Sequence, residues 1–203
     1  MHRMLSGILA MATIVVASNI LVQFLLGDWL TWGALSYPLA FLVTDVMNRV
    51  YGPTLARRVV FVGFLVGVAC SLVASVFDLT TLRIAVGSGL AFLTAQLLDI
   101  AVFNRIRSGK WWAAPMASSF VGSSIDTLLF FSIAFSQFFR FIDPSDDVSW
   151  ANELLPLLSL GPMSPLWVSL AVADWGVKLG LALLALLPFR LIVKRLMAAQ
   201  PQH

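Results

Sequence analysis

Five ionisable side chains lie inside stretches of sequence that are otherwise apolar enough to cross a lipid bilayer. They are four carboxylates and one amine: Asp45, Asp99, Asp126, Asp174 and Lys178. A charge at the centre of a membrane helix costs roughly 2.5–3.5 kcal/mol on insertion scales. Together the five would cost on the order of 10 kcal/mol or more unless they are paired or hydrated. We therefore expect them to face the interior of a helix bundle and to line a polar cavity that binds a substrate or carries protons.

One predicted helix places aromatic rings beside a carboxylate and an amide. Helical spacing puts the following residues on one stripe: Tyr37, Phe41, Thr44, Asp45, Asn48 and Arg49. Such a stripe can stack on a flat polar heterocycle and hydrogen-bond its edge. Pro38 lies in the same helix and removes a backbone hydrogen bond, which predicts a kink or a break. The alternative is that Asp45 only pairs with Arg49, one turn away at the cytoplasmic edge.

Three other carboxylates also sit at positions that suggest partners. Gln96 and Asp99 share one helix face, so they either contact a substrate or hydrogen-bond a neighbouring helix. Asp174 and Lys178 have the i, i+4 spacing at which opposite charges meet, so they either serve the site or neutralise each other structurally. Asp126 lies in a polar turn near the midpoint of its helix, which favours a functional carboxylate over the alternative of a buried structural one.

The first predicted helix carries a short polar face made of two amides. Asn19 and Gln23 are one turn apart, and both hydrogen bonding between helices and contact with a purine-like base fit this spacing. No residue is predicted to be catalytic or to bind a metal, and no cofactor is expected. The candidate residues for substrate binding or coupling are Asn19, Gln23, Phe41, Asp45, Asn48, Gln96, Asp99, Asp126, Asp174 and Lys178.

The composition requires a membrane to solvate these helices. Of 203 residues 60% are hydrophobic and only 11% are charged, with a mean hydropathy of +0.92, whereas charged residues make up about a quarter of soluble chains. The single cysteine, Cys70, excludes an intrachain disulfide and suggests no metal cluster. We predict an all-α polytopic membrane protein with one transmembrane domain, residues 1–203, and six helices at about 4–26, 32–49, 59–77, 82–103, 112–139 and 165–189.

The basic residues predict the orientation of these helices. Ten of the thirteen lysines and arginines fall on one side, which the positive-inside rule assigns to the cytoplasm together with both termini. The sequence pI near 9.5 therefore reflects topology and gives little support to nucleic-acid binding. The longest connection, residues 141–164, faces the outside, and we expect an ordered cap or a short interfacial helix there.

The same polar and aromatic positions carry a resemblance to a known family. The matching segments run from the first helix to the last: Ser18-Asn19, Val22-Gln23, Thr31-Trp32-Gly33-Ala34, Pro38, Phe41-Leu42, Thr44-Asp45, Ala56-Arg57-Arg58, Gln96, Asp99, Val102-Phe103-Asn104-Arg105, Trp111-Trp112, Ala114-Pro115, Ser124 to Thr127, Phe130-Phe131, Asp174 and Lys178. In their order and spacing the chain resembles the queuosine precursor transporters, also called vitamin uptake transporters, and their proteobacterial branch in particular.

This resemblance implies import of 7-cyano-7-deazaguanine, and of its aminomethyl relative as an open alternative, across the bacterial inner membrane for tRNA modification. The implied partners are a small deazaguanine base and the lipid bilayer. A deazaguanine presents a ring N–H beside an exocyclic amine, two parallel donors that a carboxylate accepts bidentately. Asp45 is the preferred anchor for this edge because it combines a predicted kink, an aromatic stripe and an amide one turn on.

Other classes of protein remain as alternatives. The membrane subunit of an energy-coupling-factor vitamin importer also has about six helices, but its docking pattern of alanines four residues apart is missing among Ala10, Ala12 and Ala17. A membrane-embedded enzyme is disfavoured because the protease, hydrolase and lipid-transferase motifs are absent and the only histidines are His2 and His203. A structural or assembly factor would use the buried charges only to pair helices.

Overall fold

The computed structural model describes residues 2–21, 24–26, 30–77 and 79–199. These residues form seven α-helices: α1 (His2–Leu21), α2 (Trp32–Ser36), α3 (Leu39–Tyr51), α4 (Pro53–Val76), α5 (Leu82–Ile106), α6 (Ala113–Phe135) and α7 (Leu166–Ala198). Short strands form two antiparallel pairs, β1 (Leu25–Leu26) with β2 (Leu30–Thr31), and β3 (Leu154–Pro156) with β4 (Met163–Pro165).

Five of the described helices, namely α1, α4, α5, α6 and α7, are long and apolar enough to span a bilayer. Their outward surfaces carry apolar side chains such as Leu72, Leu128 and Leu184, each more than half exposed, which is what contact with lipid requires. The chain is therefore an all-α polytopic membrane protein, as its composition predicts. The helix expected at 32–49 is present as the two shorter helices α2 and α3.

The interruption between α2 and α3 occurs at Tyr37 and Pro38, where the sequence predicts a kink or break. Pro38 has no N–H to donate, and the next turn is closed by a tighter bond of 3.1 Å from the Phe41 N–H to the Pro38 carbonyl. At its other end α3 stops at Gly52, whose φ of +88° is accessible to glycine without steric cost. Pro53 then opens α4.

Several helices extend beyond the predicted membrane limits. The helix predicted to begin at 59 begins at Pro53, and the one predicted to end at 189 continues to Ala198. Charged residues mark where a helix leaves the bilayer, but they do not end it, since lysine and arginine are good helix formers. The helix predicted over 112–139 ends earlier, at Phe135, and the first helix, predicted over 4–26, covers His2–Leu21 among the described residues.

The 141–164 connection is ordered, as expected, and it contains more than one kind of short element. The chain continues from α6 through the 3-10 helix Gln137–Ile142, and strands β3 and β4 close a hairpin in which Leu155 pairs with Ser164. The Ser145 hydroxyl donates a 2.5 Å hydrogen bond to Asp143 and lowers the pKa of that carboxyl below its usual value. The connection therefore keeps a negative charge at neutral pH.

Arg83 ties the beginning of α5 to the end of α6. Its side chain is fully buried, and it donates through Nε and Nη2 to the Ile133 carbonyl at 3.2 and 3.1 Å and through Nη2 to the Ser136 carbonyl at 2.6 Å. The last carbonyls of a helix have no partner within the helix, so this guanidinium satisfies them. No pattern in the sequence indicated that Arg83 is buried.

Arg83→Met is expected to destabilise the protein by about 2–4 kcal/mol, because the methionine keeps the apolar stem but leaves buried carbonyls without donors. The measurement is thermal unfolding in detergent, with membrane abundance as a second readout. Arg140→Met is the matched control, because Arg140 is exposed on the same side of the bundle. Equal unfolding temperatures for the two variants would contradict this role for Arg83.

Candidate functional site

Lys178 lies between two carboxylates in the interior of the bundle. Its Nζ is 2.7 Å from Asp126 Oδ2 on α6 and 2.5 Å from Asp174 Oδ2 one turn earlier on α7. It also donates to the Thr127 hydroxyl at 3.1 Å, so all three ammonium protons have acceptors. All three residues are buried, each less than a tenth exposed as a whole residue. We refer to Asp126, Asp174 and Lys178 as the charge triad.

The charge triad carries one more negative than positive charge if all three groups are ionised. Asp174 and Lys178 form the ion pair that their i, i+4 spacing predicts. This pairing is the structural alternative to a substrate-binding role for the two residues. Asp126 joins this pair because α6 packs against α7 at this level of the bundle. Thr127 in turn donates to Asp174 Oδ2 at 2.9 Å, and Tyr37, at the break before α3, donates to Asp126 Oδ1 at 3.3 Å.

A narrow cleft between α3, α6 and α7 opens beside the charge triad. We call it the inner cleft. Three of its lining residues are in the predicted set: the aromatic ring of Phe41, the carboxylate of Asp45 and the ammonium of Lys178. Other lining residues include Pro38, Ser119 and Ser123. Gly122 leaves room for the ring of Phe41, because a Cβ at that position would lie 2.7 Å from Phe41 Cε1. Three of the predicted site residues thus line one cavity.

Asp45 is buried and bound to α6. Its Oδ1 accepts a hydrogen bond of 3.1 Å from the Ser118 hydroxyl, and the ion pairs formed by the described residues do not include one with Arg49. Arg49 donates instead to the Arg107 carbonyl at 2.6 Å, which joins the ends of α3 and α5. The alternative in which Asp45 serves only as the partner of Arg49 is therefore not realised.

The interface between α3 and α5 holds the remaining polar candidates. The Thr44 hydroxyl donates to Gln96 Oε1 at 2.5 Å, and Asn48 Nδ2 donates to the Ile100 carbonyl at 3.3 Å. Asp99 is fully buried near Asp45 and Ser118, yet neither of its oxygens accepts a well-formed hydrogen bond from the described residues. Gln96 and Asn48 thus link helices, while the Asp99 carboxylate lacks the donors that burial requires.

Asn19 lies apart from the inner cleft. It lines a second cavity between α1, α4 and α5, and its Nδ2 donates to the Val15 carbonyl at 2.9 Å. The structure therefore does not bring it to Asp45 or to the charge triad. Gln23, the other amide predicted on this face, lies outside the described residues.

Three residues of the site were not among the sequence candidates. Tyr37, Ser118 and Thr127 each hydrogen-bond a buried carboxylate. Tyr37 belongs to the aromatic stripe and Thr127 follows Asp126 in the polar turn, so their positions in the sequence already pointed to the site. Ser118 carried none, because it is one of several serines on α6. In the described part of the chain no group of three or more His, Cys, Asp or Glu side chains could hold a metal ion.

Known proteins match the chain over most of its length. A family model described as a putative vitamin uptake transporter matches residues 31–193. The chain is 34% identical to the protein named queuosine precursor transporter from Escherichia coli (strain K12), over 90% of this chain and 85% of that protein. It is 41% identical to a probable queuosine precursor transporter from Haemophilus influenzae, over 60% of this chain and 57% of that protein.

A probable queuosine precursor transporter from Bacillus subtilis (strain 168) is 32% identical over 55% of this chain and 58% of that protein. No solved structure matches the chain significantly. The family model covers most of the sequence, and the E. coli relative aligns along nearly all of it. The chain therefore belongs to the queuosine precursor transporter family, whose family model is described as a putative vitamin uptake transporter.

Proposed function

We propose that this membrane protein imports the queuosine precursor 7-cyano-7-deazaguanine across the bacterial inner membrane for tRNA modification, and that the inner cleft binds the base. The observation that carries the proposal is that Phe41, Asp45 and Lys178, from two helices distant in sequence, line the same buried space. The names of the relatives support the class of substrate.

The chemistry of the cleft fits the chemistry of the base. A carboxylate at Asp45 accepts the ring N–H and the exocyclic amine together, since these donors are parallel and a carboxylate has two oxygens. The ring of Phe41 offers a face on which a flat heterocycle stacks. Lys178 can donate an N–H to the carbonyl or nitrile on the other edge when it exchanges one of its present acceptors, such as the Thr127 hydroxyl, for the base. This polarity pattern is unsuited to an apolar substrate, because burying these groups unpaired is costly.

The aminomethyl relative of this base is a second candidate substrate, favoured by the charge balance of the interior. Among the described residues the bundle buries four carboxylates, Asp45, Asp99, Asp126 and Asp174, against two cations, Lys178 and Arg83. A cationic aminomethyl group would offset part of that excess, as would protons taken up during transport. Competition between the two bases for uptake of the labelled cyano base distinguishes these candidates.

Expression of the chain in cells that lack both their own importer and precursor synthesis is expected to restore accumulation of labelled 7-cyano-7-deazaguanine and of queuosine in tRNA. Collapsing the proton-motive force with an uncoupler should lower accumulation if carboxylates carry protons during the cycle. The control is the same strain with an empty vector. Protein present in the membrane without uptake above that control would contradict the proposed function.

The proposed topology has six spans, with α2 and α3 together crossing once and both termini in the cytoplasm. Two contacts place the basic ends of the helices together: Arg49 on α3 with the Arg107 carbonyl after α5, and Arg190 of α7, whose guanidinium is 4.8 Å from the Trp111 ring centroid. Such clustering on one side is what the positive-inside rule describes for a cytoplasmic face.

In a Cys70→Ser background, Asp146→Cys is expected to react with a membrane-impermeant maleimide in intact cells. Arg58 is exposed near the beginning of α4, and Arg58→Cys should react only after the membrane is opened. The two positions lie at opposite ends of the bundle, so each is the control for the other. Labelling of both positions in intact cells, or of neither, would be incompatible with this topology.

A further inference from the structure

The cavity that Asn19 lines is a second space in the bundle, apart from the inner cleft. We call it the outer cavity. It lies between α1, α4 and α5, and its walls are aromatic and polar: Asn19, Tyr37, Phe64, Ser71, Ser88 and Phe92. Three aromatic rings, an amide and two serine hydroxyls are groups that stack on a flat ring and hydrogen-bond its edges. The function proposed above assigns no role to this space.

The two spaces lie at different depths in the bundle. Arg83 holds the beginning of α5 against the end of α6, so these two ends share one side of the bundle. The outer cavity uses the first half of α5, at Ser88 and Phe92, and therefore lies towards that side. The inner cleft uses the first half of α6, at Ser119 and Ser123, and therefore lies towards the opposite side, where the basic ends meet.

Tyr37 stands between the two spaces. Its ring lines the outer cavity and packs edge-on against Phe92, with ring centroids 6.0 Å apart. Its hydroxyl donates to Asp126, and Lys178 Nζ lies 5.7 Å from its ring centroid, so the same side chain also touches the charge triad. Because Lys178 lines the inner cleft, Tyr37 and the charge triad together form the wall between the spaces.

The position of Tyr37 in the chain allows this wall to move. It occupies the interruption between α2 and α3, where Pro38 has already removed a bond from the helical ladder. A rotation at this point costs fewer backbone hydrogen bonds than it would inside an intact helix. Both spaces are narrow in the present conformation, so passage of a bicyclic base between them requires side chains of this wall, which include Tyr37 bonded to Asp126, to move.

We propose that the outer cavity is a second binding station for the same flat polar base and that Tyr37 is the gate between this station and the inner cleft. The proposal rests on the proposed function for the identity of the ligand. The base enters the outer cavity, stacks between the rings there, and reaches Asp45 when Tyr37 releases Asp126. Loss of the tyrosine leaves the two spaces continuous.

Two single cysteines in a Cys70→Ser background test this arrangement without relying on uptake. Ser88→Cys is expected to react with an impermeant thiol reagent from the side of the 141–164 connection, and Ser119→Cys only from the opposite side, in intact cells compared with inverted vesicles. Adding Tyr37→Ala should raise the rate at which Ser119→Cys reacts with reagent added on the side of the 141–164 connection by about tenfold or more, because a hydrogen bond to a carboxylate is lost. Unlabelled 7-cyano-7-deazaguanine should slow the reaction of Ser88→Cys.

Phe64→Ala is the matched control, because it removes a ring from the same cavity without touching the charge triad, and it should leave Ser119→Cys protected. Tyr37→Phe loses only the hydroxyl, and it replaces Tyr37→Ala in this test if the alanine variant does not accumulate in the membrane. Reaction of both cysteines from the same side, or no effect of either Tyr37 variant, would overturn the gate, and failure of the base to slow Ser88→Cys would overturn the station. If the labelling results contradict the gate or the station while the parent chain still takes up the base, the proposed function stands. If the labelling is as expected but the parent chain takes up no base, the proposed function is overturned.

Discussion

Lys178→Met is expected to reduce sharply the amount of folded protein in the membrane. The ammonium holds Asp126 and Asp174 at 2.7 and 2.5 Å in a buried site, and the methionine would leave two adjacent carboxylates without a cation. Removing one partner from a buried ion pair costs about 3–5 kcal/mol, mostly through the unpaired charge that stays behind. The measurements are membrane abundance and the midpoint of thermal unfolding in detergent.

The charge origin of this loss can be separated from the loss of side-chain volume. Adding Asp126→Asn and Asp174→Asn to Lys178→Met removes the unpaired charges, so abundance should return while uptake does not. Lys194→Met is the matched control, because Lys194 is exposed near the end of the same helix. If Lys178→Met unfolds at the same temperature as Lys194→Met, the charge triad does not stabilise the bundle.

The parts of the site that follow from local rules were predictable from the sequence. The i, i+4 spacing predicts the contact between Asp174 and Lys178, and a proline without an N–H predicts the break after Ser36. Both rules concern atoms within one or two turns of a single helix. The same holds for the membrane-spanning character of the long helices, since it depends only on composition over about 20 residues.

The parts that depend on how each helix rotates about its axis were not predictable. Asp126 meets Lys178 because α6 and α7 face each other at that depth, and Asp45 meets Ser118 and not Arg49 for the same kind of reason. The burial of Arg83 likewise depends on where α6 ends. A hydropathy pattern identifies the polar face of a helix, but the neighbour of that face is set by packing of the whole bundle.

Asp45→Asn is expected to lower the affinity for the imported base by a factor of about 30 or more. If the carboxylate accepts the ring N–H and the exocyclic amine together, the amide of asparagine turns one acceptor into a donor and leaves part of the base edge unpaired. Such a loss is worth roughly 2–5 kcal/mol. The measurement is the concentration dependence of labelled precursor uptake, normalised to protein in the membrane.

Arg49→Gln provides the control for this variant. Arg49 lies one turn from Asp45 but bonds the Arg107 carbonyl, and it does not line the inner cleft. It should therefore affect the contact between α3 and α5, and hence abundance, while leaving the affinity per folded protein unchanged. Equal losses of affinity in the two variants would indicate that Asp45 acts through helix packing and not through the base.

The most direct test of base recognition by Asp45 is competition by an analogue of 7-cyano-7-deazaguanine that lacks only the exocyclic amine. Wild-type protein should bind this analogue about 30-fold or more weakly than the parent base, because one of the two donors to the carboxylate is missing. Asp45→Asn should discriminate between the two compounds far less. If wild-type protein binds the analogue as tightly as the parent base, no carboxylate reads that edge, and Asp45 must serve structure or proton coupling instead.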